Sequence, residues 1–411
     1  MKKSLALLLC LMLAVSMLAG CGSSSAGQDA NQGQAQQGGD NQGDAASGEK
    51  VVKIGIFEPA SGDNGAGGKQ ETLGIEYAKD VTPTVEIGGE TYTVELVPVD
   101  NESSTDKAPS AASNLVSAGV SVVLGSYGSG VSIAASDVFA NAGIPAIGVT
   151  CTNPQVTEGN THYFRICFLD PFQGTVLANF AMDNFQAKKA YCLAKLGDDY
   201  SVGLCHYFKE AFTALGGEVI EETFPDGNSD FTSYLTNAAN AGADVFFAPV
   251  STEAAALIID QAASQGSKMP IMAGDTWDSN VITAAAKGKD VQIYVTTFYQ
   301  EGGNEEFDKN FKEWLNADST RLANNNGNDM ISAVSAMGYD AYYTALEALK
   351  AAGSTDPKAV NEALWNVTYT GVSGDIAFDQ ENGDAIRDVA YVKKANTETG
   401  VWDFVAVQGV K

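Results

Sequence analysis

The sequence predicts an α/β protein of two doubly wound, Rossmann-like lobes, and three observations carry that reading. Short apolar runs rich in Val and Ile, too short for helices, alternate with stretches whose apolar residues recur at helical spacing. The alternation runs through twice, over about residues 51–167 and again over about 190–298, as two similar lobes joined at a hinge near 168–172 would. Polar loops follow several of the predicted strands, and in an open parallel sheet ligands sit at the carboxyl ends of strands.

Val51–Phe57 is the first strand, and the loop EPASGDNGAGG leads from it to a helix over about 69–79. VEIGGETYTVELVPVD reads as a hairpin in which Gly88 and Gly89 supply the positive φ angles of a tight turn. Its long arm, Tyr92–Val99, is the second main strand. A helix over about 107–118 leads into the stretch that organises the rest. There a strand over 120–124 ends at Gly125, a small-residue loop over 126–130 follows, and Ile133, Ala134, Val138 and Phe139 then share one helix face. A second strand, 144–149, ends in Thr150, Cys151 and Thr152. YFRIC at 163–167 is a further strand, with a helix from near Phe172.

In the second round, strands at Ala190–Lys195, Glu218–Phe224, Val245–Val250, Ile271–Gly274 and Gln292–Phe298 alternate with helices after Tyr200, Asp230, Thr252 and Ser279. Helices over about 305–315 and 331–352 follow, the latter closed by Gly353, and Asp356-Pro357 opens another. Strands near 375–378, 389–393 and 402–407 complete the chain.

Residues 1–20, with Lys2, Lys3, an apolar run from Leu5 to Leu18 and small residues before Cys21, read as an export signal. LAGC at 18–21 resembles the bacterial lipobox, which predicts a lipid on Cys21 and a protein anchored to the outer face of the cytoplasmic membrane. An unmodified mature N-terminus downstream of Cys21, read by mass spectrometry, would instead mean an ordinary secretory signal. Residues 21–50 hold the lipid site and a Gly, Ser, Gln, Asn and Asp tract that cannot bury a core, so a tether is expected.

Fifty-one acidic against 24 basic residues give a formal charge of −27, and loss of Lys2 and Lys3 with the leader takes it to −29. Nucleic acid is thereby excluded as a partner, and so is adhesion to anionic lipid through the protein surface. The lipid on Cys21 is the expected membrane contact. The chain has two histidines, His162 and His206, and no nucleophile elbow, HExxH or Walker sequence, so neither catalysis nor a metal or cofactor is expected. Cys151, Cys167, Cys192 and Cys205 show no zinc or CxxC spacing. Buried thiols are the commoner reading for Cys167 and Cys192, with a Cys192–Cys205 pair left open.

The loops offer binding groups. Ser129 and Thr152 present hydroxyls, and the helix opening at Ser129 presents N–H groups, to a small anion such as a carboxylate. The bland alternative is that both cap the structure behind them. Asp275, after the strand at 271–274, offers a negative charge from the other lobe. A ligand holding carboxylate and ammonium together, an α-amino acid, satisfies both ends. Tyr200 is placed to close over the ligand and Trp277 to pack on its side chain, while Phe172 and Gln173 read as hinge residues.

From about Val51 to Lys411 the chain resembles the leucine/isoleucine/valine-binding family of ABC-importer receptors. The resemblance rests on IGIFEPASGDNGAGGKQETLG, VVLGSYGSGVSIAASDVFANAGIPAIGVTCTNPQVT, GDDYSVG, YDAYYTALEALKAAG and GVSGDIAFDQENGD, in that order. It implies the type I periplasmic-binding-protein fold with a three-crossing hinge, lobe one being 51–170 plus 299–377 and lobe two 171–298 plus 378–411. It further implies Ser129 and Thr152, with the Cys151 backbone, on a ligand carboxylate, Asp275 on its ammonium, Tyr200 from the second lobe, and an ABC permease as partner. Gly67 and Ser251 stand where the family often has aromatics, and the acid is Asp rather than Glu. These departures point away from leucine-like selectivity and toward a larger or more polar side chain, with Trp277 as a wall. A different solute of the same fold class (an amide, urea or an aromatic acid) and a sensory role are the alternatives; an acid without an ammonium would leave Asp275 unpaired.

Overall fold

The computed structural model describes residues 49–409. The expected leader, Cys21 and the tether up to residue 48 lie outside these residues. Two large sheets dominate. The first has the order β2-β3-β1-β4-β5-β6, from β1 (Val51–Glu58), β2 (Thr84–Ile87), β3 (Glu90–Asp100), β4 (Val122–Leu124), β5 (Ala146–Gly148) and β6 (Tyr163–Arg165). All its pairings are parallel except β2 with β3, the predicted hairpin, whose turn glycines Gly88 and Gly89 have φ of 59° and 83°.

The second sheet draws on β7 (Lys189–Lys195), β8 (Glu218–Phe224), β9 (Val245–Phe247), β10 (Ile271–Ala273) and β11 (Ile293–Thr297), all paired in parallel. A small hairpin, β12 (Thr368–Gly371) with β13 (Gly374–Ala377), stands apart. The last strands, β14 (Ala390–Asn396) and β15 (Val401–Gln408), then add antiparallel to β11, giving β15-β14-β11-β10-β9-β7-β8. Each large sheet is covered by helices on both faces, the doubly wound α/β arrangement that the alternation of elements predicts.

Two departures from the sequence reading have local causes. The first helix starts at Gly65, not near 69, and runs to Val81. Its glycines, poor helix formers, are tolerated because it crosses the long helix Ala333–Ala352 at contact distance. A Cβ on Gly74 would sit 1.9 Å from the Ser335 carbonyl oxygen, and one on Gly338 would sit 2.2 Å from that of Glu71. The strand β12 is invisible to alternation because its turn is held from outside: the Asp340 carboxylate accepts from the N–H groups of Val372 and Ser373. Caps agree with expectation. Gly353 ends the long helix in the left-handed region, and Asp356 accepts from the Lys358 N–H to open the next. The four cysteines among the described residues are buried and free, so Cys192 and Cys205 are not paired. Among the described residues no helix is long and apolar enough to cross a membrane.

Candidate functional site

On the first sheet, β4 and β5 end side by side and deliver two loops. Ser129 is the first residue of the helix Ser129–Ala142, and its hydroxyl accepts from the Asn153 N–H at 3.2 Å, tying the loops together. The Thr152 hydroxyl is fully buried beside the Asp170 carboxyl and makes no hydrogen bond of good geometry among the described residues. Cys151 contributes its carbonyl to Arg165 Nη1 at 3.0 Å, while its thiol packs in the core, burial holding it neutral with a pKa raised to about 11. Arg165 also donates to the Asn153 carbonyl and the Thr157 hydroxyl and pairs with Asp384 at 2.6 Å. The loop therefore has a rigid back.

On the second sheet, β10 ends at Ala273, Gly274 follows, and Asp275 opens a single helical turn, Asp275–Trp277. Asp275 Oδ1 accepts from Gln173 Nε2 at 2.9 Å and from the Tyr200 hydroxyl at 3.3 Å. Gly274 makes this convergence possible: a Cβ there would lie 2.4 Å from the Tyr200 hydroxyl oxygen and 3.1 Å from Gln173 Nε2. Tyr200 stands in the first turn of the helix Asp199–Ala214, which Asp198 caps by accepting from the Ser201 N–H.

The two sides meet. The Tyr127 hydroxyl donates to the Thr276 carbonyl at 2.8 Å, Asn153 Nδ2 donates to the Asp199 carbonyl at 2.7 Å, and Lys195 pairs with Asp63 at 2.5 Å. Four carboxylates are enclosed here. Burial raises the pKa of Asp275 to about 7, of Glu71 to about 7 and of Asp170 to about 8; Glu58 is pushed well up by burial and by its neighbour Glu71. Among the described residues none of the four forms an ion pair. Asp170, whose N–H donates to the Thr152 carbonyl, has no hydrogen-bond partner of good geometry for either carboxylate oxygen. A buried carboxylate without a cation is held at a cost, which an ammonium group brought in from outside would offset.

Of the residues singled out from sequence, Ser129 and Thr152 line the first side, while Asp275 and Tyr200 are in hydrogen-bond contact on the second. Cys151 contributes backbone only. Trp277 stands differently from the expected wall: its ring lies in the second sheet's apolar core and its indole N–H donates to the Val250 carbonyl at 2.9 Å. Gln173 is a partner of Asp275, not merely a hinge residue. Glu71, Asp170 and Tyr127 went unremarked. The signal for Glu71 was an acid among the Gly, Leu, Ile and Ala residues of its helix's buried face; for Tyr127 it was an aromatic among glycines and serines.

The pattern of the family described as periplasmic binding protein matches residues 51–398. The chain belongs to that family. It is similar to the Leu/Ile/Val-binding protein homolog 1 of Brucella abortus, 31% identical over 360 residues that cover 86% of this chain and 93% of that one. Among solved structures, the leucine-binding protein LivK of Thermotoga maritima superimposes with a TM-score of 0.76 at 33% identity, covering 87% of this chain and 99% of that one. The branched-chain amino acid receptor LivJ of Streptococcus pneumoniae, in complex with isoleucine, gives 0.74 at 27% identity, covering 88% and 100%. The fold of this periplasmic binding protein is thus the type I arrangement of the family.

Proposed function

We propose that this periplasmic binding protein is an extracytoplasmic receptor that takes an α-amino acid between its two sheets and hands it to an ABC permease. Ser129, Thr152 and the N-terminus of the helix Ser129–Ala142 receive the carboxylate; Asp275, oriented by Gln173 and Tyr200, receives the ammonium. Residues 51–170 with 299–377 and 171–298 with 378–411 act as the two lobes that close on it, and a lipid on Cys21 holds the receptor to the outer face of the membrane. The observation that supports the reading is a pair of buried groups: Asp275, which forms no ion pair among the described residues, in the turn after β10, and the Thr152 hydroxyl, without a hydrogen bond of good geometry, in the loop tied to Ser129 at the N-terminus of the helix Ser129–Ala142. Relatives named for leucine, isoleucine and valine support the ligand class. An acid lacking the ammonium would leave Asp275 uncompensated, and an amine lacking the carboxylate would leave Thr152 so.

Calorimetric titration with glycine, alanine, leucine and the remaining common amino acids, alongside propionate and ethylamine, tests this. At least one amino acid binds, and neither one-ended analogue of alanine binds within 100-fold of it, if both ends are read at about 3 kcal/mol each. Binding of propionate as tightly as alanine would sink the ammonium assignment.

A further inference from the structure

Tyr127 is fixed at three points. Its N–H donates to the Glu58 carboxylate at 2.7 Å, its hydroxyl donates to the Thr276 carbonyl at 2.8 Å, and its ring tip lies on the backbone of Gly67. A Cβ on Gly67 would fall 2.3 Å from Tyr127 Cζ and 2.6 Å from its hydroxyl oxygen. The side chain is 6% exposed, and burial together with the Asp275 and Glu71 carboxylates pushes the phenol well up, so it remains a neutral donor. Gly67 alone suggests a roomier site than the family's aromatic would leave. In the folded protein that room is filled from the other loop.

We infer that Tyr127 sets the size of side chain this receptor accepts, admitting glycine, alanine or serine and disfavouring leucine and isoleucine. The inference rests on the amino-acid reading above. With a carboxylate held at Thr152 and an ammonium at Asp275, two of the directions from the ligand Cα are assigned. The Tyr127 ring bridges the loop that opens the Ser129 helix and the turn that carries Asp275, so it bounds the side-chain direction on the Gly67 side. A branched four-carbon side chain turned that way must displace a ring that has backbone on one face and is tethered at its tip, and close-packed interiors resist that.

The test measures affinities for glycine, alanine, serine and leucine in the wild type, Tyr127→Ala and Tyr127→Phe, with circular dichroism confirming that each folds. The wild type prefers the small ligands to leucine by at least about tenfold, roughly what two misplaced methylenes cost. Tyr127→Ala moves the leucine-to-alanine ratio at least tenfold toward leucine. Tyr127→Phe, which keeps the ring and loses the bond to Thr276, weakens every ligand a few-fold and leaves the ratio alone. A wild type that prefers leucine, or an unchanged ratio in Tyr127→Ala, overturns the size inference while the amino-acid reading stands. If the wild type binds no amino acid, that reading falls and this one with it. Should Tyr127→Ala fail to fold, Tyr127→Leu carries the same expectation of a shifted ratio.

Discussion

Asp278 and Asp384 are 1% and 7% exposed, as deeply buried as Asp275 and Asp170 at 2% and 0%. The first two are matched inside the protein. Asp278 takes Lys393 Nζ at 2.9 Å and the Thr297 hydroxyl at 2.6 Å, and Asp384 takes Arg165 Nε at 2.6 Å and the Thr157 hydroxyl at 2.9 Å. Among the described residues Asp275 and Asp170 form no ion pair, and burial raises their pKa values to about 7 and about 8. Equal burial with unequal compensation separates a carboxylate whose charge the protein itself matches from one it leaves unmatched, the property the proposed site would use.

The sharpest way to break the comparison is to unpair a matched carboxylate. Asp384→Ala leaves the Arg165 guanidinium buried without its partner and should lower stability by about 3–5 kcal/mol in urea unfolding. It should weaken ligand binding as well, because Arg165 holds the Cys151 and Asn153 carbonyls behind Thr152. A loss under 1 kcal/mol would mean the matched pairs are no more structural than Asp275 and Asp170.

Next comes the unmatched group. Asp275→Asn keeps the shape and removes the charge, so amino-acid affinity should drop about 100-fold, roughly 3 kcal/mol, with little or no loss of ligand-free stability. The pH dependence has a definite sign. A carboxyl whose folded pKa is raised to about 7 stabilises the ligand-free protein below its unfolded pKa, and that contribution is lost as pH rises through about 7. An ammonium ligand reverses this for Asp275, since it needs the charged form. The melting-temperature gain on adding ligand should therefore grow from pH 5 to pH 8, and the Asp275→Asn variant should lose that growth. A gain that shrinks with pH would contradict an ammonium on Asp275.

The smallest effect belongs to a surface pair that joins the two sheets. Lys195, half-buried, pairs with Asp63 across the sheets and with the exposed Asp226. Screening by solvent and salt should hold Lys195→Met to about 1 kcal/mol or less in ligand affinity, fading in 1 M salt. A large, salt-resistant loss would place this pair among the matched interior charges instead.

Sequence by itself determined the short apolar and helical runs, the caps at Asp356 and Gly353, the Gly88-Gly89 turn and the alternating order of the main strands and helices, because each of these is settled within a few residues of chain. The strand-end positions of Ser129, Thr152, Tyr200 and Asp275 were legible for a related reason: parallel sheets put strand ends at one edge, so position in the alternation implies position in space. What only the tertiary structure decided depends on partners far apart in the chain. Gln173 meets Asp275 across 102 residues and Tyr127 meets Thr276 across 149, and neither pairing leaves a trace in local pattern. Gly67 on its own signalled an open space, yet a side chain sixty residues further along fills it. Trp277 beside Asp275 signalled a ligand wall, yet its indole turned to the core, where apolar burial and the Val250 carbonyl satisfy both its ring and its nitrogen.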